Sequence, residues 1–171
     1  MTKVYRVSAS LFVRWATQRS TKHRVIGLIE HYAHHQAVLK YQSPKLTTPQ
    51  VTLSDKENWF ENEGMPIELR QAKIEKSESD IACRFSDFHL LGRVDQFYLV
   101  KNIGVLVDTK SHAKPTFKDQ LQLSFYAFIL QQNGYKVADY AYVRCATNID
   151  VSYQEIDLLP LDLMKEIIEL M

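Results

Sequence analysis

An aspartate and a lysine at the end of an apolar segment are the residues of this chain whose types and spacing are best suited to chemistry. Asp108 and Lys110 directly follow the apolar run Gly104–Val107, with Thr109 between them. Because side chains alternate along a strand, Asp108 and Lys110 point to one face of the sheet and Thr109 points to the other. A carboxylate and an ammonium group therefore lie side by side where a predicted strand ends.

A second aspartate is expected to join this pair. A tight turn at Lys101–Asn102 would fold the preceding strand back and bring Asp95 alongside Asp108. Two converging carboxylates repel each other, and the usual reasons to keep such a pair are a shared proton or a shared hard cation. Lys110 can position or activate a metal-bound water, or it can be only a counter-ion to the acids. An Asp-x-Lys triplet also occurs by chance, so the residues around it must show whether this one is functional.

The next predicted helix supplies two further polar side chains. Gln122 and Tyr126 are four residues apart in the strongly helical segment 117–133, so they share one face of that helix. This face is expected to lie beside the strand end that carries Lys110. Taken as an isolated residue, Tyr126 would more simply belong to the core.

The hydrophobic periodicity of the chain predicts the elements that must position these residues. Helices are expected at 8–18, capped by Ser8 or Ser10, at 21–40, at 117–133, capped by Gly134, and at 161–170. Strands are expected at 67–74, 81–85, 90–100, 103–109, 138–145 and 153–158, and an irregular connection with a helical turn near Trp59 is expected at 42–64. This order predicts an α/β fold, a mixed β-sheet flanked by helices.

Composition limits the class of protein. With 171 residues, 46% of them apolar and 24% charged, the chain is expected to form a single globular domain. No run of 18 apolar residues and no cleavable signal pattern occurs, so we expect a cytoplasmic protein without a membrane span. Cys83 and Cys145 are too few to supply the four thiolates of an iron–sulfur cluster.

Charge is unevenly distributed along the sequence. Residues 1–24 carry six Lys and Arg and no Asp or Glu, whereas residues 148–171 carry six Asp and Glu against one Lys. The net charge of +1 therefore does not exclude nucleic acid, because a phosphate backbone senses the local basic surface. A basic segment alone is more often only a solvated surface.

Three motifs in order resemble the nuclease domain of the PD-(D/E)xK superfamily, in its RecB-type branch of helicase-linked exonucleases, CRISPR adaptation nucleases and a mitochondrial exonuclease. The signature of that branch is Gly-x-x-Asp, Asp/Glu-x-Lys and Gln-x-x-x-Tyr, and the chain has Gly92-Arg-Val-Asp95, Asp108-Thr-Lys110 and Gln122-Leu-Ser-Phe-Tyr126. An early Gly-x-x-x-His pattern of the branch is matched by Gly27-Leu-Ile-Glu-His31. The resemblance covers about residues 25–145.

The resemblance implies a restriction-endonuclease-like fold and a metal centre. It implies one nuclease domain over 1–171, with N-terminal helices at 8–41 and a catalytic core at about 66–146. The implied ligands of Mg²⁺ or Mn²⁺ are His31, Asp95, Asp108 and the carbonyl of Thr109, and hard oxygen ligands suit these ions.

The histidine is the open position of this ligand set. His34, His35 and Glu30 lie in the same predicted helix as His31 and are alternatives to it. We expect replacement of His31 to weaken metal binding, and replacement of His34 to be nearly silent.

The resemblance also implies an activity. Lys110 would orient the attacking water, and Gln122 and Tyr126 would shape the site against a nucleic-acid strand. The expected function is a metal-dependent deoxyribonuclease, exonuclease-like on single strands or ends. A structure- or site-directed endonuclease and a catalytically silent nucleic-acid-binding module are the alternatives.

The chain has no Gly-x-x-x-x-Gly-Lys-Ser/Thr loop, so a helicase or another protein partner would have to supply any unwinding. The oligomeric state stays open.

Overall fold

The structure is a computed structural model that describes residues 4–17, 34–42 and 53–171, and it contains a six-stranded mixed sheet. The strands are β1 (Tyr5–Ser8), β2 (Lys73–Phe85), β3 (Phe88–Val100), β4 (Ile103–Lys110), β5 (Tyr140–Ala146) and β6 (Val151–Asp157). The helices are α1 (Ala9–Thr17), α2 (helical residues 34–41), α3 (Leu53–Glu63), α4 (Ile67–Arg70), α5 (Phe117–Gln132) and α6 (Leu161–Glu169). The predicted α/β class, a mixed sheet flanked by helices, is confirmed.

The β3–β4 hairpin sets the position of the two acids. Val100 pairs with Ile103, and the two turn residues Lys101 and Asn102 have φ angles of 50° and 67°. Positive φ at both central residues matches the twist of a two-residue hairpin, and asparagine tolerates it well. The tight turn expected from the sequence is therefore present.

Two strands meet end to end along one edge of β3. β2 pairs with β3 along most of its length, and the opposite edge is shared by β1 and β4. β1 runs parallel to β3 and pairs with it up to Leu91, whereas β4 runs antiparallel and pairs with it from Gln96 onwards. The carboxyl ends of β1 and β4 therefore converge on the short stretch of β3 between Leu91 and Gln96.

Each face of the sheet is covered by its own apolar core. On the face that we call the front, β4 presents Leu106, Asp108 and Lys110 toward α5, and α1 and α6 complete the core around Phe12 and Met164. On the back face, Val105 and Val107 pack with residues of α3 and α4. These two cores hold the end of β4 between helical layers.

α5 is fixed at both ends by local sequence. The Thr116 side chain accepts a hydrogen bond from the backbone N–H of Asp119, and the Asp119 carboxylate accepts one from the backbone N–H of Thr116. Gly134, with φ of 91°, follows the last turn as predicted. At α1, Ser8 is the cap, since its Oγ accepts from the Leu11 N–H at 3.1 Å.

Three parts of the fold differ from the sequence expectations. The strand predicted at 67–74 is wrong: Pro66 starts the short helix α4, Ile67 is 78% exposed, and one continuous β2 begins at Lys73 and includes 81–85. Within the predicted irregular connection, residues 53–63 form the regular helix α3, which ends at Gly64 with φ of 64°. β1 was not expected from its four residues.

Of the predicted helix 21–40, only residues from 34 onwards lie within the described part, and they are helical.

None of the helices that the structure describes is both long and apolar enough to cross a lipid bilayer.

Candidate active site

The candidate site lies where β1 and β4 converge on β3. The β3 stretch Gly92–Asp95 lies between the end of β4, which carries Asp108 and Lys110, and the junction of β1 and α1 at Ser8. α5 covers the front. The sheet edge is therefore interrupted beside the two acids.

Asp95 ties the end of β4 to β3 after regular pairing has stopped. The last register pair of the two strands is Gln96 with Val107, and one residue further Asp95 Oδ2 accepts a hydrogen bond from the Thr109 N–H at 2.7 Å. Asp95 is buried. The carboxylate therefore takes the place of a strand partner and is fixed next to Asp108.

A line of contacts connects β4 to α5 on the front face. Lys110 Nζ lies 2.8 Å from Asp108 Oδ2 and donates a hydrogen bond to Gln122 Oε1 at 2.8 Å. Gln122 Nε2 in turn donates to the hydroxyl oxygen of Tyr126 at 2.7 Å. Asp108 is 1% exposed, whereas the Lys110 side chain keeps 21% of its surface exposed. Four of the residues selected from the sequence are thus in direct contact.

The electrostatics of this line favour a charged lysine. Burial lowers the pKa of Lys110, but the attraction of Asp108, joined by the charges of Asp95 and Asp119, exceeds that effect and holds the pKa well above its ordinary value. Burial, followed by the nearby charge of Asp108, raises the pKa of Tyr126. At neutral pH the site therefore presents an ammonium ion to its carboxylates and a neutral phenol at the far end of the line.

Gly92 is required by the packing of Tyr126. A Cβ atom at this position would lie 2.7 Å from Cε1 of the Tyr126 ring, closer than real contacts allow. The absence of a side chain lets the ring pack directly against β3, with its hydroxyl oxygen within hydrogen-bond distance of Gln122. The first and third motifs of the sequence are therefore linked by direct contact.

A groove of about 550 Å³ runs from this ring toward the start of α1. Its polar lining residues are Ser8, Ser10, Asp80, Arg93, Gln122 and Tyr126. The groove includes Gln122 and Tyr126 from the line of contacts, whereas Asp95, Asp108 and Lys110 are not among its lining residues.

The donor set at the strand end suits a hard divalent cation. Asp95 and Asp108 are buried carboxylates, and both attract the Lys110 ammonium group. Mg²⁺ is commonly held by one or two carboxylates with water and substrate phosphate in the other positions, and Mn²⁺ accepts similar ligands. Among the described residues there is no group of three or more His, Cys, Asp or Glu side chains placed to hold a metal ion.

The histidine of the expected ligand set, His31, lies outside the described residues, as does Glu30. His35 Nδ1 lies 2.8 Å from Ser77 Oγ, and His34 Nδ1 lies 3.5 Å from Thr109 Oγ1 on the back face. His34 is 2% exposed. Replacement of His34 should therefore cost stability, because removing its ring would leave a cavity behind the site, whereas the expectation that cleavage and metal affinity change little stays a prediction.

A buried charged network, which sequence reasoning missed, surrounds His34. Arg144 donates two hydrogen bonds to Glu63, at 2.7 and 2.8 Å, and Tyr153 donates a third at 2.7 Å. His34 Nε2 lies 3.2 Å from the Tyr153 hydroxyl oxygen and 3.5 Å from Glu63 Oε2. Burial raises the pKa of Glu63, but the hydrogen bonds and charge of Arg144, with smaller contributions from His34 and Tyr153, bring it below its ordinary value.

A single sequence signal pointed to this network. Arg144 interrupts the apolar strand Tyr140–Ala146, and a buried arginine requires a partner. Nothing local in the sequence names Glu63 as that partner, because the two residues lie on distant elements.

Comparison with known proteins supports the fold. No protein-family model matches the sequence, and no curated protein proves similar to it. Among solved structures, the chain is similar to the crystal structure of SSO0001, with a TM-score of 0.59 and 11% sequence identity over 99% of this chain and 76% of that one. At this identity the likeness concerns the fold alone.

Proposed function

We propose that the chain is a metal-dependent deoxyribonuclease of the PD-(D/E)xK type that hydrolyses DNA phosphodiester bonds. The observation that carries the proposal is the line of contacts from Asp108 through Lys110 and Gln122 to Tyr126, with Asp95 fixed beside it. Charged residues from two strands and polar residues from one helix converge where β1 and β4 end on β3.

Asp95, Asp108 and the Thr109 carbonyl would hold Mg²⁺ or Mn²⁺, with His31 as a further ligand implied by the resemblance. When bound, the ion supplies positive charge that offsets the charge of a scissile phosphate. Lys110 lies between Asp108 and Gln122 and can donate to an attacking water, so that the oxygen lone pair faces the phosphorus.

Gln122 and Tyr126 would orient the strand that enters the groove. The Gln122 amide is itself held by Lys110 and Tyr126, so its position is determined before a substrate arrives. The ring of Tyr126 packs against Gly92, and its neutral phenol holds the Gln122 amide that would contact the strand.

The resemblance to exonuclease relatives favours a single strand or an end as substrate, and with it the exonuclease-like activity. We further propose a cytoplasmic enzyme that works with a helicase or another protein where duplex must be opened. The two free cysteines, both buried, are consistent with a reducing compartment.

The decisive experiment is digestion of linear duplex, linear single-stranded and covalently closed circular DNA with Mg²⁺ or Mn²⁺, and with a chelator. We expect cleavage only with a divalent ion, fastest on single strands and ends. Asp108→Asn should abolish it, whereas the control Asp162→Asn, at a 92% exposed side chain on α6, should cleave normally. Robust cleavage in chelator contradicts the proposal, equal rates on all three substrates favour an endonuclease, and DNA binding without cleavage favours a silent binding module.

A further inference from the structure

Thr109 connects the candidate site with the back face of the sheet. Its backbone lies at the candidate site, where the N–H donates to Asp95 at 2.7 Å, and its side chain points to the back. It is 1% exposed. A contact that orients the side chain of Thr109 therefore also orients the backbone N–H that donates to Asp95.

The support of Thr109 on the back face is polar, unlike that of its neighbours. The preceding back-face residues of β4, Val105 and Val107, pack in an apolar core. Thr109 instead pairs in register with Arg144 of β5 and lies 3.5 Å from the His34 ring through its hydroxyl. The polar network thus begins where β4 has lost β3 as a regular partner.

The network is built for fixed geometry more than for stability. The Arg144 guanidinium forms a two-pronged bond with Glu63, and the Tyr153 hydroxyl donates to the same carboxylate. A buried ion pair usually contributes less stability than well-packed apolar residues of the same volume, because both charges must be desolvated. Its directional bonds do, however, restrict the positions of the groups that they join. His34, in contact with both Tyr153 and Glu63, carries that restriction to Thr109.

We propose that Thr109 is a positioning residue, held from the back face through His34 by the Glu63–Arg144–Tyr153 network, and that this contact sets the divalent-cation affinity of the site. The proposal rests on the proposed function. The back face would hold the Thr109 peptide groups in the orientation that places Asp95 and the Thr109 carbonyl around one ion. None of the network side chains needs to touch the ion or the substrate.

Thr109→Val and Thr109→Ser in the full chain form the matched pair that tests this. Valine keeps the shape and loses the hydroxyl, and serine keeps the hydroxyl. Mn²⁺ affinity measured by calorimetry should fall about tenfold in Thr109→Val, as for other groups that orient metal ligands, and should stay within about twofold in Thr109→Ser. In cleavage assays at saturating Mn²⁺, KM for DNA should be unchanged in both variants.

His34→Gln extends the test along the network. If it folds, it should weaken Mn²⁺ binding like Thr109→Val, and the double variant should bind no more weakly than either single variant, because one contact is lost in all three. If it does not fold, the Thr109 pair decides alone.

Unchanged Mn²⁺ affinity in Thr109→Val, or equal losses in the valine and serine variants, would overturn the positioning role. Asp108→Asn separates that failure from failure of the proposed function. If Asp108→Asn loses Mn²⁺ binding and Thr109→Val does not, only the positioning inference fails. If the unaltered protein binds no Mn²⁺, the proposed function fails and the inference fails with it.

Discussion

The front and back faces of β4 carry charge in two different ways within three residues. On the front, the buried Asp108 pairs with Lys110, whose side chain keeps 21% of its surface exposed. On the back, Thr109 meets a buried network in which Arg144 and Glu63 are joined by two hydrogen bonds. Under the proposed function, the front-face charges would be the ones that bind an ion, whereas the back-face charges are already paired with each other.

Replacement of Glu63 should give the largest loss of stability. Glu63→Ala leaves the Arg144 guanidinium buried without its carboxylate, and removal of one partner of a buried pair costs about 3–5 kcal/mol. The free energy of unfolding in urea measures this. Glu61→Ala is the control, since Glu61 pairs with Arg70 at 2.7 Å but its side chain is 74% exposed, and it should cost less than about 1 kcal/mol. Similar losses in both variants would show that burial of the Glu63–Arg144 pair makes no difference to stability.

Replacement of Lys110 should act on cleavage first. Lys110→Met removes the donor to the attacking water, and cleavage should fall on the order of 10²-fold or more. The variant also leaves Asp108 without its nearby cation, so that Mn²⁺ should raise the unfolding temperature of Lys110→Met more than that of the unaltered protein. An equal rise in both would show that the lysine and the ion do not share Asp108.

A methyl group at Gly92 should disturb the front face alone. Gly92→Ala forces the Tyr126 ring away from β3, and such overpacking costs about 1–3 kcal/mol. KM for DNA should rise while Mn²⁺ affinity is kept. The double variant Gly92→Ala/Tyr126→Leu lacks the ring that the new methyl group would hit. Its free energy of unfolding should therefore be close to that of Tyr126→Leu alone. If Gly92→Ala destabilises Tyr126→Leu as much as it destabilises the unaltered protein, the strain does not come from the Tyr126 ring.

The smallest expected effect is a difference in pH dependence between the faces. The pKa of Glu63 lies below its ordinary value of 4.5 in the folded protein, so its contribution is complete above that value and is lost as pH falls through the folded pKa. The pKa of Lys110 lies above its ordinary value of 10.5, so its contribution is complete below that value and is lost as pH rises through the folded pKa. Unfolding measured across pH should therefore show a shallower acid slope in Glu63→Gln and a shallower alkaline slope in Lys110→Met. Unchanged slopes would contradict both assignments.

The parts of the fold that were predictable are those specified by neighbours in sequence. The Lys101–Asn102 turn, the helix between Thr116 and Gly134, and the common orientation of Asp108 and Lys110 all follow from local geometry. Helical spacing likewise put Gln122 and Tyr126 on one face, and they are in contact. For these residues, rules that operate over a few positions were sufficient.

The parts that were missed depend on partners far away in sequence. β1 has four residues and exists because it pairs with Phe88–Leu91, and α3 is mostly polar and is anchored by Phe60 and the buried Glu63. The back network joins residues from α2, α3, β5 and β6. No periodicity in the sequence predicts a network of residues from four elements. Its one signal in the sequence is Arg144, a charged residue within an apolar strand.

The end-to-end meeting of β1 and β4 has a consequence for the order of folding. The two acids are brought together by a hairpin whose ends are close in sequence, and such contacts form quickly. The other side of the groove, at the junction of β1 and α1, depends on the pairing of Tyr5 with Phe88, which must close a loop of about half the chain, at an entropic cost higher by about 1–2 kcal/mol. A growing or refolding chain should therefore bring Asp95 and Asp108 together early and complete the groove beside them late.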